Sequence, residues 1–394
     1  MKTITILEIT SKGNSVSISL NIDGNKEKIS TTFSENVTQY ITVDRIDSVI
    51  MGLILFAIKR GYDFKSDIPI SESLYYNLTN QFIDTIAAPN ELHHPRIIAP
   101  IVPDIGVTGN IVATGISCGV DSLYTIYTHA NMVPANYKLN HLVFLNVGSH
   151  HSGKEQKNSQ KLFLGRRDLC RNFSTEANLP LIEIGSDIYA LFDKYDDGYS
   201  HVEEHTYMAL FCMLLIQRGL RVYYYSSGLL YSDFNCKYNP DKTFDAALYD
   251  LLILQCASVG NTKFISAGGN VTRTEKLKSI CNYTLAHKYL NVCVIEVNNC
   301  GKCFKCIRTM LELDAIGKLH LFKKAFDVNA YMSNRNYYLE LLYIGSLQKN
   351  RFMVDLMPYF KKDLTFTLKL RAILKKIIQV LRNRLNCKNG KGAE

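Results

Sequence analysis

A chain of 394 residues is longer than one hydrophobic core usually serves, so a main domain of about 200–250 residues with smaller appendages is expected. Its 47% hydrophobic and 21% charged content is that of a globular protein, and its best apolar run, Val49–Ile58, falls well short of the roughly 18 residues a spanning helix needs. The net charge of +9 gathers at one end: residues 361–394 hold ten Lys or Arg against Asp363 and Glu394, leaving about +1 for the rest, so the chain-wide cationic character of a nucleic-acid binder is missing.

The first segment, residues 1–95, reads as a separate N-terminal α+β unit. Met1–Ile9 alternates like a strand and lacks the cleavage site of a signal peptide, which makes a cytoplasmic location the expectation. Ser15–Ile22 and Lys26–Phe33 flank Asp23-Gly24-Asn25, so the spacing predicts a hairpin. A helix follows from about Val43 to Arg60, closed by Gly61, and another from Glu72 with Ser71 as its N-cap. His93–Pro103, with three prolines, reads as a linker.

From Asn110 strands and helices alternate, the signature of a parallel sheet with crossover helices. Expected strands are Ile111–Ile116, His141–Val147, Leu181–Ile184, Arg221–Ser226, Phe264–Ser266 and Asn291–Val297. Expected helices include Asp121–His129, Glu155–Ala177 and His205–Arg218. This second segment, residues 96–325, is followed by a helical extension, residues 326–394.

The run Ser117-Cys118-Gly119-Val120-Asp121-Ser122 leads from the first of these strands directly into a helix. Unpaired N–H groups and the positive end of the helix dipole make that a place for an anion. Gly119 permits close backbone approach, and the Ser117 and Ser122 hydroxyls can donate to phosphate oxygens. No lysine follows, so this is not the loop of kinases and motor ATPases. The run resembles the Ser-Gly-Gly-x-Asp-Ser loop of the ATP pyrophosphatases (PP-loop proteins), with Cys118 where the first glycine is usual. That resemblance implies a Rossmann-like α/β fold of HUP type. It also implies ATP with its β and γ phosphates in the loop, and Asp121 placing phosphates or a Mg ion. The end of the second strand would then meet adenine and ribose, which makes Asn146, Val147, Gly148 and Ser149 candidates, with His150 and His151 next in line.

Cys293, Cys300, Cys303 and Cys306 are spaced to surround one ion. Eleven cysteines in a long chain without an export signal point to thiols and metal rather than a disulfide framework. Four thiolates suit tetrahedral zinc and leave no open position, so the ion would be structural. An iron–sulfur cluster takes the same ligands, and Cys281 is a rival for the fourth place.

The loop and the cysteines together, over roughly residues 110–320, are similar to 7-cyano-7-deazaguanine synthase and its relatives. The resemblance implies an ATP-dependent, AMP-forming ligase that adenylates a carboxylate, releases pyrophosphate and admits a nitrogen nucleophile. Asn270–Lys276 is like a Ser-Arg-x-Glu-Lys stretch of a relative, so Arg273 and Lys276 would meet phosphate or substrate beside Asp121 and Ser122; a helix start capped by Thr272 is the plain alternative. Other readings are an amidotransferase-like enzyme of surface-polysaccharide sugar synthesis and a non-catalytic nucleotide-binding scaffold. The acceptor is a small molecule, and a homo-oligomer stays open.

Phe366, Leu370, Ile373, Leu374, Ile377, Ile378, Leu381 and Leu385 recur at helical spacing among Lys and Arg. This amphipathic basic helix either packs on its own domain or meets a membrane surface, a protein or RNA.

Overall fold

The computed structural model describes residues 2–148, 156–239 and 243–389. The chain divides into two compact units, Met1–Lys276 and Leu277–Glu394. In chain order the strands are β1 (Lys2–Lys12), β2 (Ser15–Ile22), β3 (Asn25–Phe33), β4 (Tyr62–Ser66), β5 (Ile70–Ser71), β6 (Ile97–Ile98), β7 (Ile101–Val102), β8 (Ile111–Gly115), β9 (His141–Asn146), β10 (Leu181–Ser186), β11 (Leu220–Ser226) and β12 (Lys263–Ala267). The first unit's helices are α1 (Asp47–Arg60), α2 (Glu72–Asn77), α3 (Ile83–Ala87), α4 (Val120–Asn131), α5 (Gln156–Ala177), α6 (Tyr189–Tyr195), α7 (His201–Leu214) and α8 (Asp250–Ala257), and α9 (Arg273–Ile280) begins in it.

Ten strands form one sheet in the order β12-β11-β8-β9-β10-β3-β2-β1-β4-β6; β5 and β7 pair separately. The half from β12 to β10 is parallel throughout. Side chains alternate across it, as a strand requires. Tyr224 packs on His129 of α4, and Phe144 stacks on Phe163 of α5. On the opposite face Tyr223 meets Phe264, and Tyr225 stacks on His205 of α7. Helices therefore cover both faces, which is why β8 is buried from Ile111 to Thr114. The fold is α/β with a large, mostly parallel sheet, and the five strands expected between Ile111 and Ser266 form within two residues of their expected ends.

The N-terminal segment does not stand apart as residues 1–95. β3 pairs antiparallel with β10, setting Phe33 opposite Ile184 and Thr31 opposite Ser186, and the Thr31 hydroxyl donates to Ser186 Oγ at 2.9 Å. Unpaired, β10 would present an open row of N–H and C=O groups. α1 gives a second reason: it is buried on every side from Asp47 to Ile58, so it needs cover from several elements at once. His93–Pro103 is likewise no linker, since Ile97–Ile98 pairs with β4 and Ile101–Val102 with β5. Arg96 anchors it by donating to Asp63 from its backbone N–H, Nε and Nη2 at 2.7–3.0 Å.

The hairpin turns at Asp23 and Gly24 with positive φ at both, and α1 ends at Gly61 in the left-handed region. Ser71 precedes α2 but does not cap it; its hydroxyl and N–H go to the buried Asp47 carboxylate at 2.5 and 2.9 Å, which Gln217 also meets at 3.0 Å.

The second unit is helical: α10 (Thr284–Tyr289), α11 (Phe304–Ala315), α12 (Val328–Ser333), α13 (Arg335–Leu347), α14 (Arg351–Val354) and α15 (Phe366–Asn389). The strand expected at Asn291–Val297 is absent. Asparagine side chains take over its hydrogen bonding: Asn291 donates to the Val297 carbonyl at 2.5 Å, and Asn299 accepts from the Val292 N–H and donates to the Leu290 carbonyl, both at 2.8 Å. The cysteine cluster shares this unit with the C-terminal helices, so compactness does not divide the chain at residue 325. Arg335 holds the unit's helices together, reaching Asp314 and Asp363 at 2.8 Å each.

Candidate active site and candidate metal centre

Reading the parallel half from β10, the strands come third, second, first, fourth and fifth in chain order. The order reverses between β8 and β11, and in open α/β sheets the crevice at the carboxyl ends beside such a reversal is where ligands bind. Ser117–Ser122 leaves β8 at that point. The Ile116 N–H still reaches the Val143 carbonyl at 2.8 Å, after which the chain departs from the sheet and enters α4 behind Gly119.

Cys118 carries the bend, with φ of 57°. That left-handed conformation is one glycine adopts freely and other residues rarely do. The thiol turns into the core, wholly buried beside Cys170 of α5, and the bond to Cys170 together with burial pushes its pKa well up. Cys118 therefore offers the mouth its backbone, not a thiolate. Ser117 is exposed and Ser122 buried, and they bond locally: their hydroxyls lie 3.3 Å apart, Ser117 Oγ accepts from the Gly119 N–H at 3.3 Å, and Ser122 Oγ donates to the Gly119 carbonyl at 3.1 Å. These bonds are long, and an arriving anion can replace them. Val120, the first helical residue, is buried and anchors the turn.

Asp121 lies in the first turn of α4, and two cations meet it from far along the chain. Lys276 Nζ donates to Asp121 Oδ1 at 2.7 Å and to the Ser227 carbonyl at 2.6 Å, and Arg273 Nη1 lies 3.5 Å from Asp121 Oδ2. Only 2% of Lys276 is exposed. Thr272 and Glu275 form a capping box at this helix start: the Thr272 N–H and hydroxyl both donate to Glu275 at 2.7 Å. The cap and the contact to the loop thus coexist, because the cap fixes the turn from which Arg273 and Lys276 reach out.

β11 and β12 end beside these cations. The Ser227 N–H donates to the Ala267 carbonyl, and Tyr231 lies so close over Gly269 that a Cβ there would fall 2.2 Å from its ring. Asn146 ends β9, and Val147 and Gly148 follow it along the same carboxyl edge. Val147 is buried, and Gly148, at φ of 131°, lies under the Tyr199 ring with no room for a side chain. Ser149, His150 and His151 lie outside the described residues.

Two groups at this edge escaped the sequence reading. Asp250, at the start of α8, is buried; Oδ1 accepts from Ser266 Oγ at 3.2 Å and Oδ2 has no partner among the described residues. Burial raises its pKa to about 6 against the pull of Ser227, Ser266, the Leu251 N–H and the Lys276 charge. His205 shares a hydrogen bond with the Tyr225 hydroxyl and lies beside His201; enclosure, helped by His201, lowers its pKa to about 3 and keeps it neutral. The only signal for Asp250 was an acid opening an otherwise apolar helix, Asp-Leu-Leu-Ile-Leu.

In the second unit, the Sγ atoms of Cys293, Cys300, Cys303 and Cys306 lie within 4.8 Å of one another. The Cys293–Cys303 and Cys300–Cys306 separations of 4.0 Å are twice a disulfide length and near the ~3.8 Å edge of a tetrahedron with ~2.3 Å zinc–sulfur bonds. Backbone N–H groups point at the sulfurs: Glu296 donates to Cys293 at 3.3 Å, and Lys302 and Cys303 to Cys300 at 3.4 and 3.2 Å. Burial opposes ionisation of Cys293, but N–H donors from Glu296, Ile295 and Cys300 outweigh it and bring the thiol down to about 7. The knuckle turns at Gly301, at φ of 68°, whose carbonyl accepts from the Tyr338 hydroxyl at 3.3 Å. This donor set fits a metal such as zinc. Cys281 is not among the four, and its carbonyl binds His287 instead.

Among the described residues no helix is long and apolar enough to cross a membrane. Compared with known proteins, the chain matches no family model, no curated protein and no solved structure.

Proposed function

We propose that the mouth between β8 and α4 seats the β and γ phosphates of ATP, and that the protein is an adenylating, AMP-forming ligase on a Rossmann-like fold of HUP type. The observation that carries this reading is the convergence of Arg273 and Lys276 on Asp121 at the strand-order reversal, with Lys276 and Asp121 155 residues apart in sequence. Two cations beside a helix N-terminus that already favours anions add to the positive field at the mouth.

A substrate carboxylate oxygen attacks the α-phosphorus of ATP, and the bond to the bridging oxygen breaks with its electron pair leaving on pyrophosphate. The loop N–H groups, the two serine hydroxyls, Lys276 and Arg273 hold that growing charge, which is the term that usually dominates such catalysis. Mg²⁺, when bound, neutralises part of the triphosphate charge, and Asp121 is the residue that would hold it. A nitrogen nucleophile of the ammonia type then attacks the acyl carbon, loses a proton to solvent and displaces AMP. Asn146–Gly148 would line the nucleoside end. The four thiolates would hold a structural zinc, since they leave no position for water or substrate.

The test is incubation of the protein with ATP, Mg²⁺, ammonia and a panel of carboxylates, with nucleotide products separated. AMP and pyrophosphate that depend on one carboxylate, and fall about 10²–10³-fold in Lys276→Ala, are expected. ADP as the product, or bound ATP that no carboxylate turns into AMP, would overturn the ligase reading.

A further inference from the structure

α15 has two apolar faces, and only one is used. On the first, Leu368 and Ala372 are buried, and Arg371 and Lys375 both bind Glu340, a carboxylate of α13 that is itself buried. On the other side Phe366, Leu370, Leu374, Ile377 and Ile378 are exposed, Phe366 to 81%. Their spacing places them on one stripe of the helix.

Cations border the stripe. By helical position Arg371 flanks the stripe on one side, and Lys369 and Lys376 lie between it and Ala372 on the other, Lys369 with its ammonium 5.9 Å from the Tyr343 ring; the wider segment 361–394 holds ten Lys or Arg against two acids. Near the start of the helix lies a groove of about 430 Å³ lined by Val354, Met357, Pro358, Lys361, Leu364 and Lys369, which brings four apolar residues and two lysines together.

We propose that α15 and this groove dock on an anionic lipid surface, the apolar stripe entering the headgroup boundary and the lysines meeting lipid phosphates. An apolar stripe beside a cationic margin is the pattern that lies in a membrane interface. Charge decides against the other occupants: a second copy of this chain would bring the same cations together, and RNA would leave the apolar stripe without a partner. Glu340 supports the assignment, because by holding Arg371 and Lys375 it fixes the helix rotation and keeps the stripe outward.

Co-sedimentation of the full-length protein with extruded vesicles tests this. Vesicles of phosphatidylcholine are compared with vesicles containing roughly one-third phosphatidylglycerol, at about 0.1 M and about 0.5 M salt. Partitioning at least about tenfold stronger on the anionic vesicles at the lower salt is expected. It should fall to the phosphatidylcholine level in Leu370→Gln/Leu374→Gln/Ile377→Gln, and by about tenfold in Lys369→Glu/Lys376→Glu. Both variants change exposed or half-exposed positions, and an unchanged melting curve verifies that each folds. Equal partitioning on both vesicle types, no partitioning on either, or full partitioning by the apolar-stripe variant would overturn the proposal. Capture of an acidic protein helix in the absence of vesicle binding would overturn it as well.

Discussion

The mouth at β8 and the cysteine knuckle are assembled over very different distances along the chain. The knuckle draws its four thiols from Cys293 to Cys306, and one bend at Gly301 closes it. The mouth joins Asp121 to Arg273 and Lys276, and the sheet order alone brings them together. A local site depends on its own ligands for its shape, so removing them should unfold it. A site built from distant strands should keep its fold on loss of one side chain, because the sheet holds the rest in place.

The largest effect should separate the two regions outright. Cys303→Ser/Cys306→Ser should remove the metal and unfold the knuckle, since structural zinc supplies on the order of 10 kcal/mol to small metal-held folds. Metal content together with amide exchange would show deprotection around residues 290–315 while β8–β12 stay protected; unchanged exchange would break the comparison. Lys276→Ala should do the reverse. AMP formation should fall about 10²–10³-fold, or about 3–4 kcal/mol in the transition state, with metal content unchanged.

A purely structural tie in the first unit provides the control. Asp47→Ala leaves the Ser71 and Gln217 donors unanswered in the core, so urea unfolding should show a loss of about 3 kcal/mol. Nucleotide binding per folded molecule should stay unchanged.

Asp250 sharpens the comparison through pH. Burial, opposed by Ser227, Ser266, the Leu251 N–H and Lys276, lifts its pKa from 3.8 to about 6. A carboxyl whose folded value lies above its unfolded value favours the fold fully below about pH 4, and that contribution is lost as pH rises through about 6. Asp250→Asn keeps a neutral group at every pH. The variant should therefore match the parent near pH 4 and exceed its stability above pH 6 by on the order of 2 kcal/mol, read from denaturation midpoints across pH. A constant difference across that window would show that the carboxyl ionises freely.

The smallest effect belongs to Cys118. Cys118→Gly relieves a left-handed residue of its Cβ but empties a buried thiol site, two terms of about 1 kcal/mol with opposite signs. Stability within about 1 kcal/mol of the parent and retained nucleotide binding are expected. Loss of binding would mean that the thiol itself shapes the mouth.

Much of this architecture was legible in the sequence, for reasons that differ by element. The strands from β8 to β12 announced themselves because burial on both faces leaves apolar runs bounded by polar turns, and the cysteines because their spacing is local. The join between β3 and β10 was hidden: pairing of two edge strands separated by some 150 residues leaves no local pattern. The false strand at Asn291–Val297 has apolar residues in strand-like order, but Asn291 and Asn299 satisfy the backbone that a ladder would have used. Asp250 stayed invisible because one acid in an apolar helix makes no pattern in sequence, and the Ser266 hydroxyl that meets it comes from β12.

Amide hydrogen exchange of the full-length protein with and without Mg-ATP tests the central claim most directly. Slowed exchange in the peptides covering Ser117–Ser122 and Thr272–Lys276, lost in Asp121→Ala, is the expected result. Protection elsewhere with none at these two stretches would mean that the mouth beside β8 holds no triphosphate.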